Sequence, residues 1–303
     1  MEGKKYVDYD TGEIISEKDI KEKLKEEIAE EYADKKTKEI KATEIRKSKD
    51  EYYKYLSDNL GSFHFCKYEN IHKTIGNDSA LMFRFVYLCT YSDYDGVLRF
   101  GNEQRGKHRD LMTESDFKEV FGLSNTSTND LKKHLFDYGL IEKRDNKLIV
   151  NNKYFNKGKI DKNSVKSSVR VFEDTIQKLY KNVSVKKHSQ IGILFMLLPL
   201  VSYHNNIICK YPNAPTIRES QPMTIQEICN YVGYRKSNAS RLKKILYDIR
   251  INNEMIFMSI EAKTKKGKIV ICFVVNPYIY YKGNNKDQFI HTHDYFVALD
   301  NIE

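Results

Sequence analysis

Apolar positions recur along this chain in several distinct patterns, and each pattern marks a different part of it. From Glu17 to Lys54, Ile20, Leu24, Ile28 and Tyr32 repeat every four residues among twelve acidic and twelve basic side chains, with no Gly or Pro. So thin a stripe predicts a charged helix. It reads either as a solvated or partly disordered arm or as a helix that pairs with a partner. Residues 1–16 look extended and turn-rich, with Gly12 in a turn. Beyond Ser57 the apolar content becomes that of a packed domain. Leu81, Phe85 and Leu88 share one face over Asn77–Tyr91 and predict a helix. The run Ile191–Val201 is about half the ~20 residues a membrane span needs and contains Gly192 and Pro199, so it predicts a buried core helix.

Between these two apolar helices the pattern changes. A short strand is expected at Val97–Phe100. A helix follows over Thr113–Phe121, capped by Thr113 with acidic residues in its first turn. A turn at Gly122–Asn125 leads into a second helix, Thr126–Tyr138, which Gly139 stops. Leu140–Arg144 and Lys147–Val150 then read as a hairpin around Asp145–Asn146. Helix, strand, helix, turn, helix, hairpin is the winged helix-turn-helix order.

The same order occurs twice. Shifted by 111 residues, Met112–Asp137 lies on Met223–Asp248 without a gap, with eight of 26 positions identical, including M-T at the start, a glycine, and L-K-K-x-L-x-D at the end. Later the offset becomes 125, where V-N-N-K-Y-F-N-K-G (Val150–Gly158) lies on V-N-P-Y-I-Y-Y-K-G (Val275–Gly283). The 14 additional residues are assigned to the hairpin of the second copy, giving it a longer wing. The helices upstream also correspond, Asn77–Tyr91 with His188–Tyr203.

In each copy the second helix has the division of labour that a DNA-reading helix needs. Leu131 and Leu135, like Leu242 and Leu246, are four apart and face the core together. The positions ahead of and between them are polar and free to meet base edges. The candidate DNA-binding residues are Asn125, Ser127, Asn129, Lys132, Lys133 and Arg144 in the first copy. In the second they are Arg235, Lys236, Ser237, Asn238, Ser240, Arg241 and Lys244, with Lys263, Lys265, Lys266 and Lys268 in the wing.

Charge separates the two copies. The chain carries a formal net charge of +9, which favours a polyanionic partner. Met112–Gly158 contributes +1, whereas Met223–Gly283 contributes +7, so the second copy is expected to supply most phosphate contacts. The first is either a weaker reader or an assembly surface. The five cysteines are scattered with no C-x-x-C pair, so neither a disulfide framework nor a metal site is indicated. Met1–Asp10 is polar with charges of both signs, which predicts no leader, a cytoplasmic location and no membrane partner.

Two patterns imitate enzymes. Gly101-x-x-x-x-Gly106-Lys107 has P-loop spacing, but His108 replaces the hydroxyl residue that would hold magnesium. His291-Thr292-His293 with Tyr295 faintly matches the residue set of rolling-circle nickases, with a polar residue between the histidines. No catalytic residue and no cofactor is assigned.

The chain as a whole is expected to be mainly α with small β-hairpins (α+β). The expected layout is a charged N-terminal helical arm over 1–56, winged helix-turn-helix domains in tandem over 57–160 and 161–286, and a tail over 287–303. The repeated M-T-x-x-[DE]-[FI] and L-K-K-x-L-[FY]-D core, closed by V-N-x-x-[YF]-x-x-K-G, resembles winged-helix replication initiators of low-GC Gram-positive plasmids and phages. The tandem arrangement is similar to that of iteron-binding plasmid initiators, and the resemblance covers roughly residues 60–283. It implies binding of double-stranded origin repeats, recruitment of host replication proteins and possible self-association, without catalysis. MarR-like transcriptional regulators share the helix–hairpin order and remain the alternative.

Overall fold

The computed structural model describes residues 5–7, 14–60, 62–100, 110–158, 168–251, 254–263, 269–277, 279–281, 289–294 and 296. The chain forms two compact units, Met1–Tyr55 and Leu56–Glu303. The first contains the hairpin β1 (Lys5–Val7) and β2 (Ile14–Ser16) and most of α1 (Glu17–Leu60). Every described side chain of α1 is exposed, including Tyr32 and Ile40. Strong helix formers and the lack of Gly and Pro favour this helix.

The second unit opens with β3 (Phe63–Cys66), α2 (Tyr68–Ile75) and α3 (Ser79–Cys89). Asp78 caps α3 by accepting from Leu81 N at 2.9 Å. Short strands β4 (Arg99–Phe100) and β5 (Asp110–Leu111) lead to α4 (Phe117–Phe121) and α5 (Asn125–Asp137). The hairpin β6 (Ile141–Arg144) and β7 (Lys147–Val150) turns on Asp145 and Asn146, both at positive φ (50° and 58°), as a tight primed turn requires. β8 (Phe155–Lys157) ends this first repeat.

The second repeat restarts the order with β9 (Val169–Phe172), α6 (Glu173–Asn182) and α7 (His188–Leu197). After α8 (Ile217–Ser220) come α9 (Ile225–Tyr231) and α10 (Ala239–Asp248). The two short strands β10 (Arg250–Ile251) and β11 (Glu254–Met255) precede the long hairpin β12 (Phe257–Lys263) and β13 (Ile269–Val275). The architecture is therefore mixed α+β, helices with small antiparallel sheets. Of the run expected to be a buried helix, Ile191–Val201, α7 takes Ile191–Leu197, all buried, and a 3-10 turn follows at Leu198–Leu200.

The repeat seen in the letters is also a repeat of wiring. Val150 N donates to Gly96 O at 2.9 Å, and Val275 N to Asn206 O at 3.0 Å. Leu98 N reaches Leu148 O, and Ile208 N reaches Phe273 O, both at 2.8 Å. Met112 N and Met223 N donate to Leu98 O and Ile208 O at 3.0 Å. Gly96 and Asn206 both have positive φ (78° and 55°), a conformation that glycine adopts freely and asparagine tolerates.

The conserved V-N pair of the two copies has a physical reason in the same wiring. Asn151 and Asn276 each hold the base of their hairpin by two bonds. The backbone N–H donates to Leu140 O (3.0 Å) or Ile256 O (2.8 Å). The side-chain amide donates to Gly139 O (2.9 Å) or Met255 O (3.0 Å). These bonds correct the placement of the 14 additional residues, which do not all lengthen the wing. Ile141 pairs with Val150 where Phe257 pairs with Val275, so five of the additional residues precede the hairpin, at β10–β11, and nine extend it.

The two repeats share one core. β3 is the centre of a three-stranded sheet, β8–β3–β9, with Phe63 opposite Phe172 and Cys66 opposite Val169. β3 and β9 lead the equivalent helix pairs, and the first residue of each meets the last of the other. That is the pairing of an isologous contact, so an approximate internal two-fold axis relates the openings of the repeats. Across the seam Phe83 stacks on Phe195 (5.5 Å) and Tyr87 on Tyr180 (3.7 Å). Most buried side chains of the two repeats join in one large cluster, and a smaller one, with Met255, Met258, Cys272 and Val274, lies in the second repeat.

Polar groups pin the seam. Glu173 lies 2.9 Å from both His64 Nδ1 and Lys157 Nζ. Burial would raise its carboxyl, but His64 and then Lys157 outweigh burial and hold it below the ordinary value. His188 is packed against Tyr180 and Phe83, and Arg84 Nε donates to its Nδ1 at 3.4 Å. Burial, reinforced by Arg84, lowers His188 to about 4. The unfolded chain takes up this proton near its ordinary value and the folded chain only near 4. Stability is therefore full above about pH 6.5 and falls as pH drops towards 4, by about 2–3 kcal/mol from this group. Urea titrations across that window should show a flatter pH dependence for His188→Asn than for the wild type.

Candidate nucleic-acid interface

Both helix pairs, α4–α5 and α9–α10, are set by side-chain caps and a glycine. Thr224 and Glu227 form a reciprocal capping box at α9, and Glu227 also binds Lys210 at 2.6 Å. In the first repeat Asp116 accepts from Thr113 N (2.6 Å) and Thr113 Oγ1 (2.8 Å). This differs from the expected Thr113 cap. Because Asp116 itself occupies the cap position, α4 begins at Phe117, four residues later than expected. Gly122 and Gly233, at φ 59° and 77°, end the first helix of each pair.

The second helices dock as their leucine spacing predicts. Leu131 and Leu135 are buried on α5, and Leu242, Ile245 and Leu246 on α10. On α5, Asn125, Asn129 and Lys133 are exposed, and Ser127 and Lys132 half-buried. Ser124 caps this helix by accepting from Ser127 N at 3.3 Å. The exposed Asp130 and Asp137 lie among these groups and weaken the field that the lysines make. Arg144 lies on β6 within 2.6 Å of Glu142, and Lys143 is 3.4 Å from Glu114. These exposed pairs are worth little in themselves, but they lower the positive potential of the first hairpin.

The second repeat presents its cations differently. Lys236–Asn238 form a single 3-10 turn, and α10 itself begins at Ala239, later than a continuous helix would. Arg235, Lys236, Ser237, Ser240, Arg241 and Lys244 are exposed and Asn238 half-buried. Among the described residues, no carboxylate lies within ion-pairing distance of Arg235, Lys236, Arg241 or Lys244. Arg235, Lys236 and Arg241 surround the start of α10, where first-turn N–H groups add to the positive field, and Lys244 follows within the helix. Lys243, absent from the sequence-based set, packs its ammonium over Tyr247 at 5.6 Å. Its place between Leu242 and Lys244 was readable, but its stacking partner was not.

Lys263 ends β12, paired with Ile269, while Lys265, Lys266 and Lys268 lie outside the described residues. So does the glycine stretch at Gly101–Lys107. His291 and His293 fall on a helical stretch, 289–294, where residues two apart point to opposite sides and do not converge on one ion. All five cysteines are buried, and none is in a disulfide. No helix among the described residues is long and apolar enough to cross a membrane. A search of known protein families, curated proteins and solved structures found no match for the chain.

Proposed function

We propose that this chain is a sequence-specific double-stranded DNA-binding protein with two winged helix-turn-helix modules, acting as a plasmid or phage replication initiator at origin repeats. The observation that carries the reading is the cluster of Arg235, Lys236, Arg241 and Lys244 in and just before α10, none ion-paired with a described carboxylate, beside a hairpin. The equivalent helix α5 stands in a repeat with the same wiring. Exposed Asn, Ser and Arg side chains at the opening of a helix match the donors and acceptors of base edges in the major groove.

The internal two-fold favours an initiator over a MarR-like regulator. A regulator with one module per chain must dimerise to read two half-sites, whereas this chain carries both modules around one core. Repeat two supplies most of the affinity, and repeat one reads weakly or serves self-association and the recruitment of host replication proteins. No catalytic step is part of this role.

Hydroxyl-radical footprinting on a duplex that the chain itself selects from a randomised pool tests the reading. One bound chain should protect two stretches about one helical turn apart, roughly 10–10.5 bp. The stronger protection should be lost on Arg241→Ala. A single protected stretch, or none, contradicts the two-module proposal.

A further inference from the structure

We infer that the β12–β13 hairpin is a wedge whose Ile269 and Ile271 enter a groove of the bound duplex and bend it. The inference rests on the duplex-binding reading above. Ile269 is 61% and Ile271 47% exposed, and residues two apart on a strand share a face. The same face holds Phe273 and Phe257, both fully buried nearer the core. There Phe273 packs on Tyr247 of α10 at 5.9 Å, and the Tyr247 hydroxyl donates to Ser259 at 2.6 Å. Phe273, Ile271 and Ile269 therefore form an apolar row along β13 that starts against the candidate reading helix and continues outward into solvent.

The first hairpin offers the contrast. Its apolar Ile141, Leu148 and Val150 are buried, and its exposed positions are Glu142, Lys143, Arg144, Asp145, Asn146 and Lys147. That hairpin is finished for water, whereas the second is not. Exposed isoleucines on the outer half of an open two-stranded ribbon are a liability unless a partner covers them.

Charge identifies the partner. Ile269 pairs with Lys263, and the intervening sequence T-K-K-G-K adds three more lysines. Glu261, the one carboxylate of β12, pairs with Ile271 on the same face, so residues 261–268 carry four lysines against one acid. Apolar side chains beside so basic a stretch of sequence fit a groove lined by phosphates, where the isoleucines meet sugars and base faces. Apolar wedges of this kind unstack base steps and kink the duplex.

The test uses a duplex of about 30 bp, recovered by the wild-type chain from a randomised pool and labelled at both ends for energy transfer. The wild type should bring the ends closer. Ile269→Ser with Ile271→Ser should bind roughly tenfold more weakly, with an unchanged salt slope, an unchanged melting temperature and no end-to-end approach. The inference is overturned if the variant bends the duplex as the wild type does, or if the wild type binds without bending. It is also overturned if the substitutions act only by dissolving a dimer seen by light scattering. If no duplex is recovered at all, the duplex-binding reading fails first and takes this inference with it.

Discussion

Gly192→Ala is expected to destabilise the Leu56–Glu303 unit by about 3 kcal/mol. In an ordinary helix interior the same change stabilises by roughly 0.5–1 kcal/mol, because alanine loses less backbone freedom on folding than glycine. Here the sign reverses. A Cβ on Gly192 would lie 1.7 Å from the Ser79 carbonyl oxygen, so α7 and α3 would have to move apart. That seam also carries the Phe83–Phe195 stack, so the shift loosens the core common to both repeats. The urea midpoint should fall with an unchanged m-value. A neutral or stabilised variant would show that the two helices do not approach this closely.

Arg235→Ala combined with Arg241→Ala is expected to weaken duplex binding by about a hundredfold or more, as two guanidinium contacts worth roughly 1–3 kcal/mol each are lost. Folding should be unaffected, since both side chains are exposed and neither ion-pairs with a described carboxylate. Lys132→Ala with Lys133→Ala in the first repeat should cost less than tenfold, in the range of phosphate contacts weakened by nearby acids. Asp130 and Asp137 flank those lysines, and Glu142 and Glu114 hold the neighbouring Arg144 and Lys143. Competition titrations with the selected duplex would rank the two pairs. Equal losses in both repeats would overturn the asymmetry, and no loss from the arginines would remove α10 as the reading helix.

The sequence exposed local structure wherever it was written in local chemistry. Asp145–Asn146 announces a hairpin, Gly122 a helix end, and the Leu131/Leu135 spacing a docked face, and the structure has each of them. The repeat was legible because Asn151 and Asn276 do the same work at their hairpins, so the same letters persist. What stayed hidden depends on partners far along the chain. β3 and β9 read F-H-F-C and V-R-V-F, with nothing in common that would predict their pairing across more than a hundred residues. The sequence alone places all the extra residues of repeat two in the wing, because only the long-range bonds of Asn276 fix where the hairpin begins. Gly192 looked like any glycine in an apolar run, since the Ser79 carbonyl it accommodates lies on another helix. At the candidate site, residue types were visible, but whether a cation was paired was not. Arg144 and Arg241 look alike as letters and differ only in the carboxylate beside the first.

The most direct test of the central claim is a salt series of duplex binding by the intact chain, followed by fluorescence anisotropy. Neutralisation of about 6–10 phosphates predicts tight binding at 50 mM salt and a loss of roughly 10³–10⁵ in affinity by 200 mM. No duplex binding at 50 mM, or binding that does not change with salt, would contradict the account.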